Sequence, residues 1–259
     1  MGQIYINSPE DEKKVTTSIL QALAKYMSDN GVKSKYLTET KLQKIVYKTI
    51  EELELPITRS WYIRGCMVHP GGRISGYVNV DKVVHLMNYR HFCCDEDIYV
   101  CFDNIQVIDR ILKVKQDNFL RDLYKNMQPE KFKMEYIPNN EIMLSMQRMI
   151  KGIYDVSETI SNSISELSLG LYGDDIFNSI PNSFYEYLEL IENTSLELEA
   201  MVEGGSEISL NQLEFIKSIE SNYFNTIWKL PATIISISTA EGLSAETLIR
   251  NQNNYIPYG

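Results

Sequence analysis

The sequence predicts a mainly α protein in two parts: a winged-helix-like N-terminal domain with a small β-hairpin over residues 1–128, followed by an acidic C-terminal antiparallel helical bundle over residues 141–259. Three observations predict it. Apolar residues recur at a period near 3.6 through most of the chain, as in helices that bury one face. Residues 58–80 are instead rich in Trp, Tyr, Ile and Val around a Gly-rich turn, the composition of paired strands. Charge also divides the chain. Residues 31–92 carry 10 Lys and Arg against 5 Asp and Glu, residues 93–259 carry 12 against 26, and the net charge is −10.

A first helix is expected over about residues 9–29. Ser8 offers an oxygen to orphan amides, Pro9 suits the first turn, and Glu10, Asp11 and Glu12 favour the positive end of the helix dipole. Val15, Ile19, Ala22, Leu23, Tyr26 and Met27 keep helical spacing, and Gly31 suits the C-terminal cap. Thr38 caps a second helix, whose stripe of Leu42, Ile45, Val46, Thr49, Ile50 and Leu53 should face the core. Lys41, Lys44 and Lys48 are spaced to share one flank of it, with Tyr47 pointing outward. A basic flank suits contact with phosphates or carboxylates, and the alternative is a solvated helix face. Pro56 ends the helix.

Two short strands around the turn His69-Pro70-Gly71-Gly72-Arg73 would then form a wing, decorated by Arg59, Arg64 and Arg73. Trp61 and Tyr62 either stack on a partner or pack inside. The predicted partner- or DNA-binding residues are therefore Lys41, Lys44, Tyr47, Lys48, Arg59, Trp61, Tyr62, Arg64 and Arg73.

Further along, Asp81 should cap a helix running to about Phe92, and Ile98–Phe102 reads as a short strand behind an acidic loop. From Asn104 an apolar period holds to Gln128 as one helix. Residues 129–140 read as a polar linker, with Pro138-Asn139-Asn140 as a turn, and supply the domain boundary. Helices are expected at about 141–168, 183–203, 209–230 and 244–250. Pro231 should end or kink the third of these, and Ile234–Ile237 suits either helix or buried strand.

Three segments carry a family resemblance: Ala24-Lys25-Tyr26, then Thr40-Lys41-Leu42-Gln43-Lys44-Ile45-Val46-Tyr47, then Ser60-Trp61-Tyr62-Ile63-Arg64-Gly65. Over roughly residues 15–80 the chain resembles the Panacea domain family of SocA-like antitoxins, in which a similar lysine-rich helix precedes an aromatic turn. Cys66 stands where that family usually has proline after the glycine. The resemblance implies a helical, winged-helix-like domain that acts by protein–protein contact, as antitoxin or adaptor, and carries no catalytic residues.

Chemistry-bearing motifs are few. Cys66, His69, His85, His91, Cys93, Cys94 and Cys101 cluster within 36 positions, which raises zinc as a reading, but the spacing matches no paired-knuckle pattern, and no metal or other cofactor is expected. No nucleophile elbow, Walker loop, zincin or dinucleotide motif is present, and no enzymatic role is expected. Four cysteines, two of them adjacent, do not make a disulfide framework, the N-terminus lacks the features of a secretory signal, and no apolar run nears the roughly 18 residues that span a bilayer. A cytoplasmic protein away from membranes is the expectation. The function expected is that of a non-enzymatic module binding another protein, toxin-like or effector, with a winged-helix DNA-binding regulator built on residues 31–92 as the alternative.

Overall fold

In a computed structural model of the chain, residues 5–74, 76–89, 95–126 and 128–255 are described. Among them lie eleven α-helices and one two-stranded antiparallel sheet. The chain divides into two compact units: unit 1 takes residues up to Leu120 together with 235–255, and unit 2 takes 121–234. This differs from a boundary at 129–140, because residues 235–255 return to the first unit and residues 133–150 are helix.

In unit 1, α1 (Pro9–Asp29) starts where expected, with Ser8 Oγ accepting from the Asp11 amide at 3.2 Å. Its buried face includes Ile19, Leu20, Leu23 and Met27. Helix α2 (Glu39–Glu52) is capped by Thr38, whose hydroxyl accepts from the Lys41 amide. The expected stripe is buried except for Leu53, the half-buried C-cap, but so are Thr40, Lys41, Gln43, Lys44 and Tyr47, so α2 runs through the interior and has no solvated flank along most of its length. Gln43 spends its amide inside, with Oε1 accepting from the Val68 amide and Nε2 donating to the Val78 carbonyl.

The hairpin comprises β1 (Arg59–Tyr62) and β2 (Gly65–Val68), paired Arg59 with Val68 through Tyr62 with Gly65. Its tip is Ile63-Arg64, so the His69–Arg73 turn follows the hairpin instead of closing it. Helix α3 (Val80–Tyr89) packs on α1. Residues 98–102 belong to α4 (Glu96–Asn104), not to a strand: Asp95 accepts from the Asp97 amide as N-cap, and Ile98, Cys101 and Phe102 meet the core at helical spacing. The single long helix expected beyond is broken, because Gln106 sits at φ 53 and a π-helical turn, Val107–Leu112, precedes α5 (Gln116–Asn126).

Residues 235–255 close unit 1. Arg59 and Glu241 exchange backbone hydrogen bonds of 2.9 and 3.0 Å, and Thr239 Oγ1 accepts from the Trp61 amide at 2.8 Å. Gly242 makes this approach feasible: at φ 105, a Cβ there would lie 2.6 Å from Thr58 Cα. Glu12, fully buried on α1, joins the pieces. Its Oε1 accepts from the Thr58 amide (2.8 Å) and hydroxyl (2.6 Å), and its Oε2 from the Gly71 amide (2.5 Å) and Ser244 Oγ (2.9 Å). Helix α11 (Ala245–Asn253) follows.

In unit 2, α6 (Lys133–Ile150) absorbs the residues expected as linker, with Pro138 inside it and Tyr136, Asn139, Asn140, Met143 and Met146 buried. Pro138 has no amide to offer, so the Met134 carbonyl lacks its usual intrahelical donor. Gly170 of α7 (Ser157–Gly173) lies against it: a Cβ there would sit 3.2 Å from the Met134 oxygen and 2.8 Å from Met134 Cβ. The expected single helix over 141–168 is thus two, separated at Gly152, whose φ is 84. Helix α8 (Asn182–Glu203) packs on α7, and α9 (Leu210–Asn222), opened by a Ser209–Gln212 capping box, packs on α6. A π-helical turn, Tyr223–Ile227, interrupts the apolar period before α10 (Lys229–Ser238). Pro231 then falls in the first turn of α10, where its missing N–H is least costly, and Ile234–Ile237 is helix. Tyr223 donates to Asn139 Oδ1 at 2.9 Å, and Tyr136 stacks on Tyr124 and meets Trp228 edge-on.

Candidate functional site

The nine predicted binding residues are distributed unevenly between interior and surface. Lys41 and Lys44 turn inward. Lys41 Nζ donates to the carbonyls of Leu112 (2.8 Å) and Val114 (2.7 Å), and Lys44 Nζ to that of Cys66 (2.5 Å). Lys44 is 1% exposed, and burial pulls its ammonium down to about 8. Tyr47, Trp61 and Tyr62 are likewise buried, which settles the two aromatics' choice in favour of packing. Arg59 is largely covered, ion-paired with Glu241 at 2.8 Å and lying over the Tyr47 ring. Lys48 is half-buried, and Arg64 and Arg73 are exposed. The expected basic flank of Lys41, Lys44 and Lys48, with Tyr47 outward, is therefore corrected. Periodicity saw one apolar stripe, but a helix enclosed on several sides buries its lysine stems and gives their ammoniums carbonyl partners.

Among the described residues, the cysteines and histidines do not converge. Among the described residues, no three His, Cys, Asp or Glu side chains are grouped to hold a metal ion. Cys66 is fully buried with its thiol pushed up to about 11, and Cys101 is buried on α4. His85 is exposed beside Tyr89. His91, Cys93 and Cys94 lie outside the described residues. His69 Nε2 is 2.9 Å from Ser60 Oγ, which contacts Ser236 Oγ at 2.6 Å, itself accepting from Gln252 Nε2. Burial pushes His69 down to about 4. A Ser–His pair at this distance has the geometry of nucleophile and base, yet each side chain is 1% exposed and the chain ends in other buried polar groups. It reads as an internal hydrogen-bond chain.

Unit 2 offers a different site, which the sequence expectations missed. An open pocket of about 330 Å³ lies between the start of α6 and the end of α7, lined by Lys131, Met134, Glu135, Leu169, Gly173 and Asp174 among others. Glu135 is 2% exposed, and its Oε2 has no hydrogen-bond partner. Burial first, then the nearby Asp174 carboxylate, pushes the Glu135 carboxyl up to about 7. Lys131 and Asp174 pair with each other at 2.8 Å across the pocket's edge. Of the lining residues, Met134 is half-exposed and Leu169 is 67% exposed, and farther along α7 Tyr172 is 72% exposed, stacking on Tyr185 with ring centroids 4.7 Å apart. Assigning residues 129–140 to a linker hid Glu135. The spacing of Phe132, Tyr136, Asn139, Met143 and Met146 was the available signal for a helix there.

Among the described residues, no helix is long and apolar enough to cross a membrane. Searches of curated proteins and of solved structures found no match to the chain. A family model matches residues 5–85 and 84–258, almost the whole length, and on that match the chain belongs to the family described as a domain of unknown function (DUF8098).

Proposed function

We propose that the chain is a non-enzymatic protein–protein interaction module, antitoxin-like or adaptor-like, whose partner docks on the acidic helical surface of unit 2. One observation carries this. Residues 121–234 hold 8 Lys and Arg against 18 Asp and Glu, which accounts for the whole net charge of −10, and the same stretch exposes Leu169, Tyr172, Leu210 and Phe215. Acidic groups interleaved with large exposed apolar side chains suit a partner that is basic and partly apolar. The antitoxin or adaptor character follows the resemblance of residues 15–80 to the Panacea family. Within the proposal, α2 and the hairpin form a winged-helix-like scaffold, and α6 to α10 an antiparallel bundle that presents the docking surface.

The exposure of Arg64 and Arg73 favours a second reading, in which residues 31–92 bind DNA. It is the weaker one, because Lys41 and Lys44 are committed to carbonyls inside unit 1 and cannot neutralise phosphates. The test uses tagged full-length chain at about 50 mM salt, where surface electrostatics are little screened. The wild type should retain a partner that Leu169→Asp and Leu210→Asp lose, and should not retard duplex DNA. Retention indifferent to both substitutions, or retardation of DNA, would overturn the reading.

A further inference from the structure

Packing accounts for every buried carboxyl described above except that of Glu135. Glu12, equally buried, receives four donors. Glu135 Oε2 receives none, and the residue stands in the wall of a pocket instead of between elements of a core. The charged groups that face it are Asp174, following α7, and Lys131, preceding α6. Lys131 is paired with Asp174, whose carboxylate offsets the lysine's pull on Glu135, and neither donates to Oε2. A buried acceptor left without a donor carries an unrelieved desolvation cost, which is greater when it is charged, so a ligand supplying the donor gains affinity by relieving it.

We propose that this pocket receives a single Lys or Arg side chain of a protein partner, its ammonium or guanidinium donating to Glu135 Oε2 while neighbouring apolar residues of the partner pack on Leu169 and Tyr172. The inference rests on the protein-binding reading above and specifies the chemistry of the contact. Three features argue for this occupant. The walls beside the carboxyl are apolar, Met134 and Leu169, which matches the alkyl stem of a long basic side chain and not a hydrated ion. A metal ion would need further oxygens, and among the described residues no third ligand joins Glu135 and Asp174. Gly173 presents no side chain, and the space a Cβ would enter there is open, so the pocket mouth is unobstructed. A cation in contact would also hold Glu135 ionised, making binding stronger above pH 7 than below it.

The test follows the methyl resonances of Met134 and Leu169 in the full chain during titration with three capped tripeptides: acetyl-Leu-Lys-Leu-amide, acetyl-Leu-Arg-Leu-amide and the neutral acetyl-Leu-Gln-Leu-amide. The basic peptides should bind about tenfold more tightly than the neutral one at pH 8, equivalent to about 1.4 kcal/mol. That margin should shrink at pH 5.5 and vanish in the isosteric variant Glu135→Gln. Equal binding of the neutral peptide, or a margin that survives Glu135→Gln, overturns the proposal. Binding of n-butylammonium as tight as that of the lysine peptide overturns its commitment to a protein partner. The two proposals also fail separately. Partner retention that Leu169→Asp abolishes and Glu135→Gln leaves intact rejects the basic-residue pocket alone, whereas a Glu135-dependent peptide margin without any retained partner rejects the interaction-module reading alone.

Discussion

Two buried glutamates show how much one side chain's surroundings decide. Glu12 has its oxygens filled by two backbone amides and two hydroxyls drawn from residues 58, 71 and 244. Glu12→Ala strands those donors in the interior, and we expect a loss of about 3–5 kcal/mol, read as a lower urea midpoint; Glu12→Gln, which keeps acceptor capacity on one side, should lose less. Glu135, whose Oε2 has no donor, makes stability depend on pH. Its carboxyl titrates near 7 when folded against the ordinary value of 4.5, so between those values the folded chain holds more of a proton than the unfolded chain. Its contribution to stability therefore falls as pH rises from about 4.5 to about 7 and is level above that. Glu135→Gln removes the dependence, and above pH 7 the variant should be more stable than wild type by about 1–3 kcal/mol, with the difference closing toward pH 4.5. His69 and Lys44 have the reverse sign, each favouring the unfolded chain's proton: His69 adds stability as pH rises from about 4 to 6.5, and Lys44 as it rises from about 8 to 10.5. Comparing wild type with Glu135→Gln at each pH isolates the glutamate from both.

At the scale of elements, glycine 170 tests how α6 and α7 meet. Its missing side chain is what lets α7 approach Met134 and Glu135, since a Cβ would stand 2.8 Å from Met134 Cβ and 3.0 Å from Glu135 Oε1. Gly170→Ala must push the helices apart, and a loss of about 1–3 kcal/mol is expected despite the better helix propensity of alanine, measured by thermal or urea unfolding. Capped helix starts were legible from sequence because their signals are local: Ser8 and Thr38 open α1 and α2 as read. Three things were not. Residues 98–102 suit a strand by β-branched and aromatic content, but the Asp95 cap and the α1 face they pack against make them helix. Pro138 reads as a break, yet the helix tolerates it where Gly170 lies against the freed carbonyl, a fact of tertiary contact. The lysines of α2 looked solvated because periodicity reports one buried face and is silent about how many neighbours a helix has. The helix carrying Glu135, the centre of the candidate site, had a signal in the spacing from Phe132 to Met146, but the burial of its carboxyl had none, since it depends on the approach of α7.

For the molecule as a whole, charge is divided unequally between the units. Unit 1 carries equal numbers of basic and acidic residues, and the basic bias of residues 31–92 is partly spent inside, on carbonyls at α2 and on the Arg59–Glu241 pair. Unit 2 holds the entire excess of acid. A surface with that excess attracts a basic partner over distances comparable to the Debye length, about 10 Å at 0.1 M salt, so the field raises the encounter rate more than it holds the complex together. Raising the salt from about 50 to 500 mM should therefore slow association with the retained partner by at least tenfold while changing the dissociation rate far less, as read by surface plasmon resonance. The double variant Arg64→Glu, Arg73→Glu should leave both rates nearly unchanged, because its residues lie on the other unit, whereas Leu169→Asp should speed dissociation. An association rate indifferent to salt, or one governed by Arg64 and Arg73, would move the interface to unit 1 and revive the nucleic-acid reading of the hairpin region.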